Sequence, residues 1–206
     1  MPQGVLHFRW AMAERYLIGT SALNKKFQQL GDQVPFAVAL GLTRIAQRAQ
    51  NDAERGIVQR IDRPTPFTQR AVAIKTATKR RPEAVVFIKD RQGKYLKILE
   101  TGGVEKPKRR ALVVPVGVRL NQYGNMTKGR VKKLLARKDV FSGRINGTAG
   151  IWQRFKRKAP KLLVAYEDRR TVRPQLHFKD TVIASMRRHA VERMKSAADF
   201  AINTAR

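Results

Sequence analysis

Two carboxylates stand side by side in this chain, at Glu167 and Asp168, directly after the apolar run Leu162–Tyr166. Paired carboxylates at the end of a strand can hold Mg²⁺ for the hydrolysis of a phosphodiester. Arg169 and Arg170 follow at once and offer a simpler role for the two acids, which is ion pairing. We favour ion pairing with these arginines, or with other basic residues, over a metal site.

The other residue types that carry catalysis form no recognisable pattern. The three histidines, His7, His177 and His189, are far apart in the sequence and lack the spacing of metal ligands. The chain has no cysteine, which excludes disulfides, thiolate metal sites and thiol nucleophiles. It has neither a phosphate-binding glycine-rich loop nor a G-x-S-x-G turn. The sequence therefore predicts a protein that is not an enzyme and that uses no cofactor or metal.

Basic residues dominate the charge of the chain. Forty-four lysines and arginines face fifteen acidic residues, which gives a formal net charge of +29 and a pI near 11.5. Self-repulsion at this level opposes folding, so a charge kept only for solubility is the less favoured explanation. A polyanion or an acidic protein surface is the expected partner.

The basic residues concentrate between Lys106 and Tyr166, where seventeen of them accompany one acidic residue, Asp139. Clustered lysines and arginines bind phosphates without reading a base sequence. Signatures of the common reading modules are missing, and aromatic residues make up only 7% of the chain, so base stacking is not the expected mode. We predict that the following basic residues face DNA or a protein partner: Lys106, Lys108, Arg109, Arg110, Lys128, Arg130, Lys132, Lys133, Arg137, Lys138, Arg154, Lys156, Arg157 and Lys158.

Two helices are predicted to support these residues. The first follows Asp32 and Pro35, which suit a first turn, and it ends before Pro64. Its apolar residues recur at spacings of three or four. They are Val34, Val38, Leu42, Ile45, Ala49, Ala53 and Ile57. The second helix is predicted to begin at Asp180 as its cap and to carry a similar stripe that includes Met186 and Met194. A short helix at Ser21–Leu30 is also predicted.

Strands are predicted between the two helices. Asp90–Gly93 has the composition of a turn. The runs rich in β-branched and apolar residues are Ala71–Thr78, Ala84–Lys89, Tyr95–Glu100, Ala111–Val118 and Leu162–Tyr166. The order of the elements predicts an α+β fold, in which a long N-terminal amphipathic helix and a C-terminal helix pack on a mainly antiparallel sheet.

A single structural domain of residues 1–206 is expected, since the length and a hydrophobic content of 42% suit one core of ordinary size. Residues 104–160 are predicted to form a largely irregular basic insertion with a short helix near Val131–Arg137. Trp152 and Phe155 would be its apolar anchors. Residues 1–20, with the aromatic segment His7–Trp10, are predicted to be an N-terminal arm or a piece of local core. No apolar run approaches the ~20 residues of a membrane span, and the N-terminus lacks a signal-peptide pattern, so we expect no membrane partner.

Two segments resemble a phage family. Val34–Ala39 (VPFAVA) followed by Leu42–Ala46 (LTRIA) resembles the start of minor tail protein Z of lambda-like phages. Arg173–Phe178 (RPQLHF) is similar to the element that precedes the last helix in related tail-completion proteins. His7–Trp10 and Leu120–Ala159 depart from the pattern of the family.

The resemblance implies a virion structural protein of the neck or tail, which completes the tail or joins it to the head and is assembled in the host cytoplasm. Such a protein would form a ring of about six or twelve copies around the path of the DNA. Portal, adaptor and tail proteins and the backbone of the genomic DNA would be its partners. The residues alone also allow a non-specific nucleic-acid-binding protein, associated with ribosomes or with the nucleoid.

Overall fold

The computed structural model describes residues 16–18, 33–108 and 110–204. The predicted Ser21–Leu30 helix, His7–Trp10 and Arg109 lie outside these ranges. The elements are β1 Tyr16–Ile18, α1 Gln33–Arg60, α2 Pro66–Gln69, β2 Val72–Lys75, β3 Ala84–Ile88, α3 Asp90–Thr101, β4 Gly103–Glu105, β5 Leu112–Pro115, α4 Arg130–Leu135, β6 Val140–Ile145, β7 Thr148–Gln153, β8 Lys161–Glu167, β9 Arg170–Val172 and α5 Phe178–Asn203.

The fold is α+β, as predicted, with its two long helices and its antiparallel strands. Where the sequence predicted one domain, the chain divides into two compact units. The described residues among 1–100 and 176–206 form the first, which we call the helical unit. Residues 101–175 form the second, which we call the basic unit. No helix among the described residues is long and apolar enough to cross a membrane.

The helical unit is built on the packing of α1 against α5 and against strands β2 and β3. The predicted stripe of α1 is confirmed, because six of its seven residues are buried, and Val34 is partly buried against the same core. Gly41 lets the two helices approach closely, since a Cβ at this position would collide with the sulfur of Met194. The core that results includes Leu42, Ile57 and Val182.

A three-stranded antiparallel sheet with the order β1-β3-β2 lies in the same unit. Tyr16 pairs with Val86 across β1 and β3, and Val72 pairs with Ile88 across β2 and β3. The strands predicted at Ala71–Thr78 and Ala84–Lys89 are therefore confirmed in shortened form. Part of the predicted N-terminal arm, Tyr16–Ile18, is one of the two outer strands of this sheet.

The segment Asp90–Thr101 is a helix, which corrects the prediction of a turn at Asp90–Gly93 and a strand at Tyr95–Glu100. The buried positions Gln92 and Leu96 are four residues apart, and the half-buried Leu99 follows three residues later, so all three share one helical face. Asp90 lies in the first turn, where a negative charge favours a helix.

Helix α5 begins two residues before the predicted cap. The side chain of Glu100 caps it from outside, because its two carboxylate oxygens accept hydrogen bonds from the backbone N–H groups of Phe178, at 2.8 Å, and Lys179, at 3.0 Å. Asp180, predicted as the cap, lies within the first turn instead. His177 precedes the helix in a left-handed conformation and makes no side-chain cap.

We expect Glu100→Ala to lower the free energy of unfolding by about 1–2 kcal/mol, because it leaves two N–H groups at the start of α5 without their acceptor. Glu100→Gln keeps one acceptor oxygen and should lose less. Urea denaturation followed by circular dichroism measures both. Equal stability of Glu100→Ala and the wild type would contradict the capping role.

The basic unit contains a four-stranded antiparallel sheet with the order β5-β8-β7-β6 and a two-stranded sheet of β4 and β9. This corrects the prediction of a largely irregular insertion at residues 104–160. Strands β6 and β7 form a hairpin whose two-residue turn is Asn146-Gly147, and both residues have positive φ, 47° and 79°. An Asn-Gly turn of this type matches the twist of the flanking strands.

One face of the four-stranded sheet packs against α4. Leu134 of this short helix joins Val140, Ile151, Leu163 and Val164 in a core of their own. The short helix predicted near Val131–Arg137 is thus confirmed, with the bounds Arg130–Leu135.

Candidate polyanion-binding surface

The basic unit carries twenty basic and four acidic residues, so it holds +16 of the formal net charge of +29 in 75 of the 206 residues. Two of its four carboxylates are already paired within the unit. Glu105 binds Arg170 at 2.7 Å and Asp139 binds Arg137 at 2.6 Å. The unit remains strongly positive because four carboxylates cannot balance twenty cations.

The strand register gathers part of this charge at one end of the four-stranded sheet. The connection between β7 and β8, residues 154–160, lies beside the turn between α4 and β6, residues 136–139. The backbone N–H of Arg154 donates to the carbonyl oxygen of Asp139 at 2.8 Å, and Gln153 pairs with Val140. We call the cations of these two segments, together with the first residue of β8, the basic sheet end. They are Arg137, Lys138, Arg154, Lys156, Arg157, Lys158 and Lys161.

All seven side chains of the basic sheet end are exposed. Within the described part of the chain, Arg137 is the one among them that pairs with a carboxylate. Six of the seven were predicted as partner-facing residues. Lys161 was not predicted, although its place as first residue of a strand beside Lys158 in the sequence could have indicated it.

The carboxylate of Asp139 is held by two side chains. Arg137 donates two hydrogen bonds to it, at 2.6 and 3.0 Å, and Gln153 donates a third at 2.8 Å. These hydrogen bonds, that from Arg137 first, lower the pKa of Asp139, and the same contact raises the pKa of Arg137. Asp139, the acidic residue beside the basic sheet end, is therefore ionised and already bound by Arg137 and Gln153.

We expect the carboxyl group of Asp139 to titrate below the ordinary range of an aspartate in an NMR pH titration. Since its pKa is depressed in the folded protein, the stabilisation is present above the pKa of the unfolded chain and is lost as the pH falls through the folded pKa. Gln153→Ala should raise the pKa toward its ordinary value, and Asp139→Asn should remove this part of the acid dependence. An ordinary pKa in the wild type would show that the hydrogen bonds do not persist in solution.

The remaining predicted residues lie elsewhere on the basic unit. Lys132 and Lys133 are exposed on α4, and Lys128 is exposed in the loop before it. Arg130, the first residue of α4, is half-buried. Lys106, Lys108 and Arg110 are exposed next to the start of β5, whose first residue pairs with the last residue of β8. They therefore lie toward the opposite end of the sheet.

The two aromatic residues predicted as anchors differ in how much of their surface is exposed. Trp152 is buried in β7 with 9% of its surface exposed, whereas Phe155 is 45% exposed in the connection between β7 and β8. The guanidinium of Arg154 lies over the ring of Phe141, 4.4 Å from its centre. The basic sheet end thus combines cations with aromatic rings.

Among the described residues, the adjacent acids Glu167 and Asp168 do not form the ion pairs that we favoured. Arg170 pairs with Glu105 across the two-stranded sheet, and neither Glu167 nor Asp168 forms an ion pair with a described residue. No group of three or more His, Cys, Asp or Glu residues that could hold a metal ion occurs among the described residues.

A serine, a histidine and an aspartate meet between α1 and α5, but their geometry is not that of a nucleophilic triad. The hydroxyl of Ser185 donates to Asp52 at 2.7 Å, and Nε2 of His189 lies 3.9 Å from the same carboxylate oxygen. In a triad the serine donates to the histidine. Ser185 is only 5% exposed, so this contact joins two helices and does not present a nucleophile.

These features define a strongly basic α+β protein with a concentrated group of exposed cations at one end of its four-stranded sheet. The chain was compared with protein-family models, with curated proteins and with solved structures, and none of them matched it.

Proposed function

We propose that this protein is a structural component of a phage virion, located in the neck or tail, where it completes the tail or joins it to the head. It would act as an oligomeric ring around the path of the DNA, without catalysis. The observation that carries the proposal is the charge of the basic unit as a whole, because twenty basic residues face four acidic ones there and most of these cations are exposed. The resemblance of Val34–Ala39 and Leu42–Ala46 to tail protein Z supports the phage setting.

The division into two units gives this role a physical basis. Two segments that carry the resemblance, Val34–Ala39 and Leu42–Ala46, lie in α1, the scaffold of the helical unit, and most of their residues are buried. The excess charge lies mainly in the basic unit, which has its own core. A ring subunit requires both a stable body and a surface that tolerates DNA, whose phosphates attract exposed lysines and arginines without a sequence code.

Location tests the proposal most directly. Particles from a producing lysate are treated with nuclease, washed in high salt and labelled with gold against this protein for electron microscopy. We expect one cluster of label per particle, at the vertex where head and tail meet. Label that leaves the particles with the nucleic acid would overturn the proposal.

The exposed cations also favour a second function, that of a non-specific nucleic-acid-binding protein associated with ribosomes or with the nucleoid. Such a protein would bind free duplex DNA or RNA tightly, and its affinity would fall steeply with salt. A neck protein should bind free duplex only weakly. A binding titration at several salt concentrations separates the two functions, and ribosome-bound label in the lysate would favour the second.

A further inference from the structure

An exposed phenyl ring lies within the basic sheet end. Phe155 is 45% exposed and stands between Arg154 and Lys156, with two further cations following at once. Single exposed apolar residues are common on protein surfaces. This one is not isolated, because Arg154, the residue before it, lies over the ring of Phe141 at 4.4 Å. Arg154 therefore covers the ring of Phe141 and directly precedes Phe155 in the chain.

The backbone that carries Phe155 is held in place. Gln153 is the last paired residue of β7, its side chain donates to Asp139, and the N–H of Arg154 donates to the carbonyl oxygen of the same residue. Phe155 follows directly. A side chain presented from an anchored backbone loses less conformational freedom on binding than one on a free loop.

The chemistry of this surface distinguishes between partners. Contacts to a DNA backbone need cations and gain nothing from a phenyl ring. The centres of protein interfaces are enriched in Phe and Arg, with charges arranged to complement those of the partner. For this one surface, a second copy of the chain is a poor match, because its fifteen acidic residues are scattered among forty-four basic ones. An acidic protein surface with an apolar pocket satisfies both the cations and the ring.

We infer that the basic sheet end docks on an acidic surface of a different protein and that Phe155 inserts into an apolar pocket of that surface. This inference rests on the proposed function, in which the basic unit meets other virion proteins. It assigns a protein partner to this one surface. The DNA would then be contacted by other cations of the ring.

The test uses the full chain and three defined probes: a copolymer of glutamate and tyrosine, poly-glutamate, and a short DNA duplex. Calorimetric titration at one fixed salt concentration gives the affinity for each. We expect the wild type to bind the copolymer more tightly than poly-glutamate, because only the copolymer offers aromatic groups to Phe155. Phe155→Ser should weaken binding to the copolymer about tenfold or more and leave its affinity for poly-glutamate and for the duplex unchanged.

Val113→Ser is the matched control, since Val113 is 44% exposed on β5 of the same sheet, outside the basic sheet end. It should bind every probe as the wild type does. Equal affinity of the wild type for the two polypeptides would overturn the inference. So would a loss of duplex binding in Phe155→Ser as large as the loss of copolymer binding, which would assign the surface to nucleic acid. Neither result bears on the position of the gold label. The labelling experiment therefore tests the proposed function separately from this inference.

Discussion

We expect Val182→Asp to unfold the helical unit. Val182 is fully buried on α5, in the core that also holds Leu42 and Ile57 of α1. An aspartate at this position would place a carboxylate among apolar side chains, where it would remain charged without a partner or become protonated at a cost. We expect a loss of about 4–5 kcal/mol or more, because an unpaired buried charge belongs to the most damaging class of substitution. A loss of that size approaches the whole stability of many domains.

The same substitution at Val191 is the control. Val191 lies on the same helix with 81% of its surface exposed, so the change of residue type and charge is identical while the burial differs. We expect Val191→Asp to stay within about 0.5 kcal/mol of the wild type. Thermal melting followed by circular dichroism compares the three proteins. A wild-type melting curve for Val182→Asp would mean that α5 does not pack in the core.

The sequence was sufficient for α1 because its stripe repeats over seven positions and two prolines end it. A pattern of that length has one interpretation. The segment Asp90–Thr101 is shorter, and its apolar residues Tyr95, Leu96, Ile98 and Leu99 are consistent with both a strand and a helix. Gly93 then favoured the interpretation of Asp90–Gly93 as a turn between strands. Packing of Leu96 into the core decides in favour of the helix, and such a tertiary contact is not visible in the sequence.

The basic unit was misread for a different reason. Its high charge and its glycines suggested an irregular arm, although Asn146-Gly147 between two β-rich runs is the strongest short-range signal of a hairpin. That signal was present and was outweighed by composition. Leu134, Val140, Ile151 and Val164, which form the core of this unit, are spread over thirty-one residues of a basic sequence. No single window contains enough of them to indicate a core.

The basic residues of the candidate surface can be read from the sequence one by one, but their grouping into a surface cannot. Lysines and arginines are visible in any sequence, and thirteen of the fourteen predicted residues lie in the described part of the chain. Their grouping depends on the register of β6, β7 and β8, which brings the turn that ends at Asp139 next to Arg154, the start of the following connection. Register follows from turn geometry and from the choice of buried face. The same register buries Trp152 and leaves Phe155 exposed, a difference that their aromatic character alone could not show.

On the virion role proposed above, we expect the double variant Lys132→Glu with Lys133→Glu to fold normally and to fail in particle assembly. Both side chains are exposed on α4, whose contact with the sheet is made by Leu134 and Val131 on its other side. Exposed charges contribute little to stability one by one, and the melting temperature should therefore be that of the wild type. An acidic pair in a surface that meets polyanions or acidic proteins creates like-charge contacts, which cost several kcal/mol. Infectious particles should fall about tenfold or more.

Arg187→Glu with Arg188→Glu is the matched control for that variant. It also reverses two adjacent exposed cations on a helix and lowers the net charge by the same amount, but on α5 of the helical unit. Each double variant is supplied to a phage that lacks the protein, and plaques and assembled particles are counted. If the position of the charge matters, only the α4 variant loses infectivity. An equal loss in both would mean that the total charge, and not this surface, is required. Wild-type infectivity of the α4 variant would remove Lys132 and Lys133 from the interface.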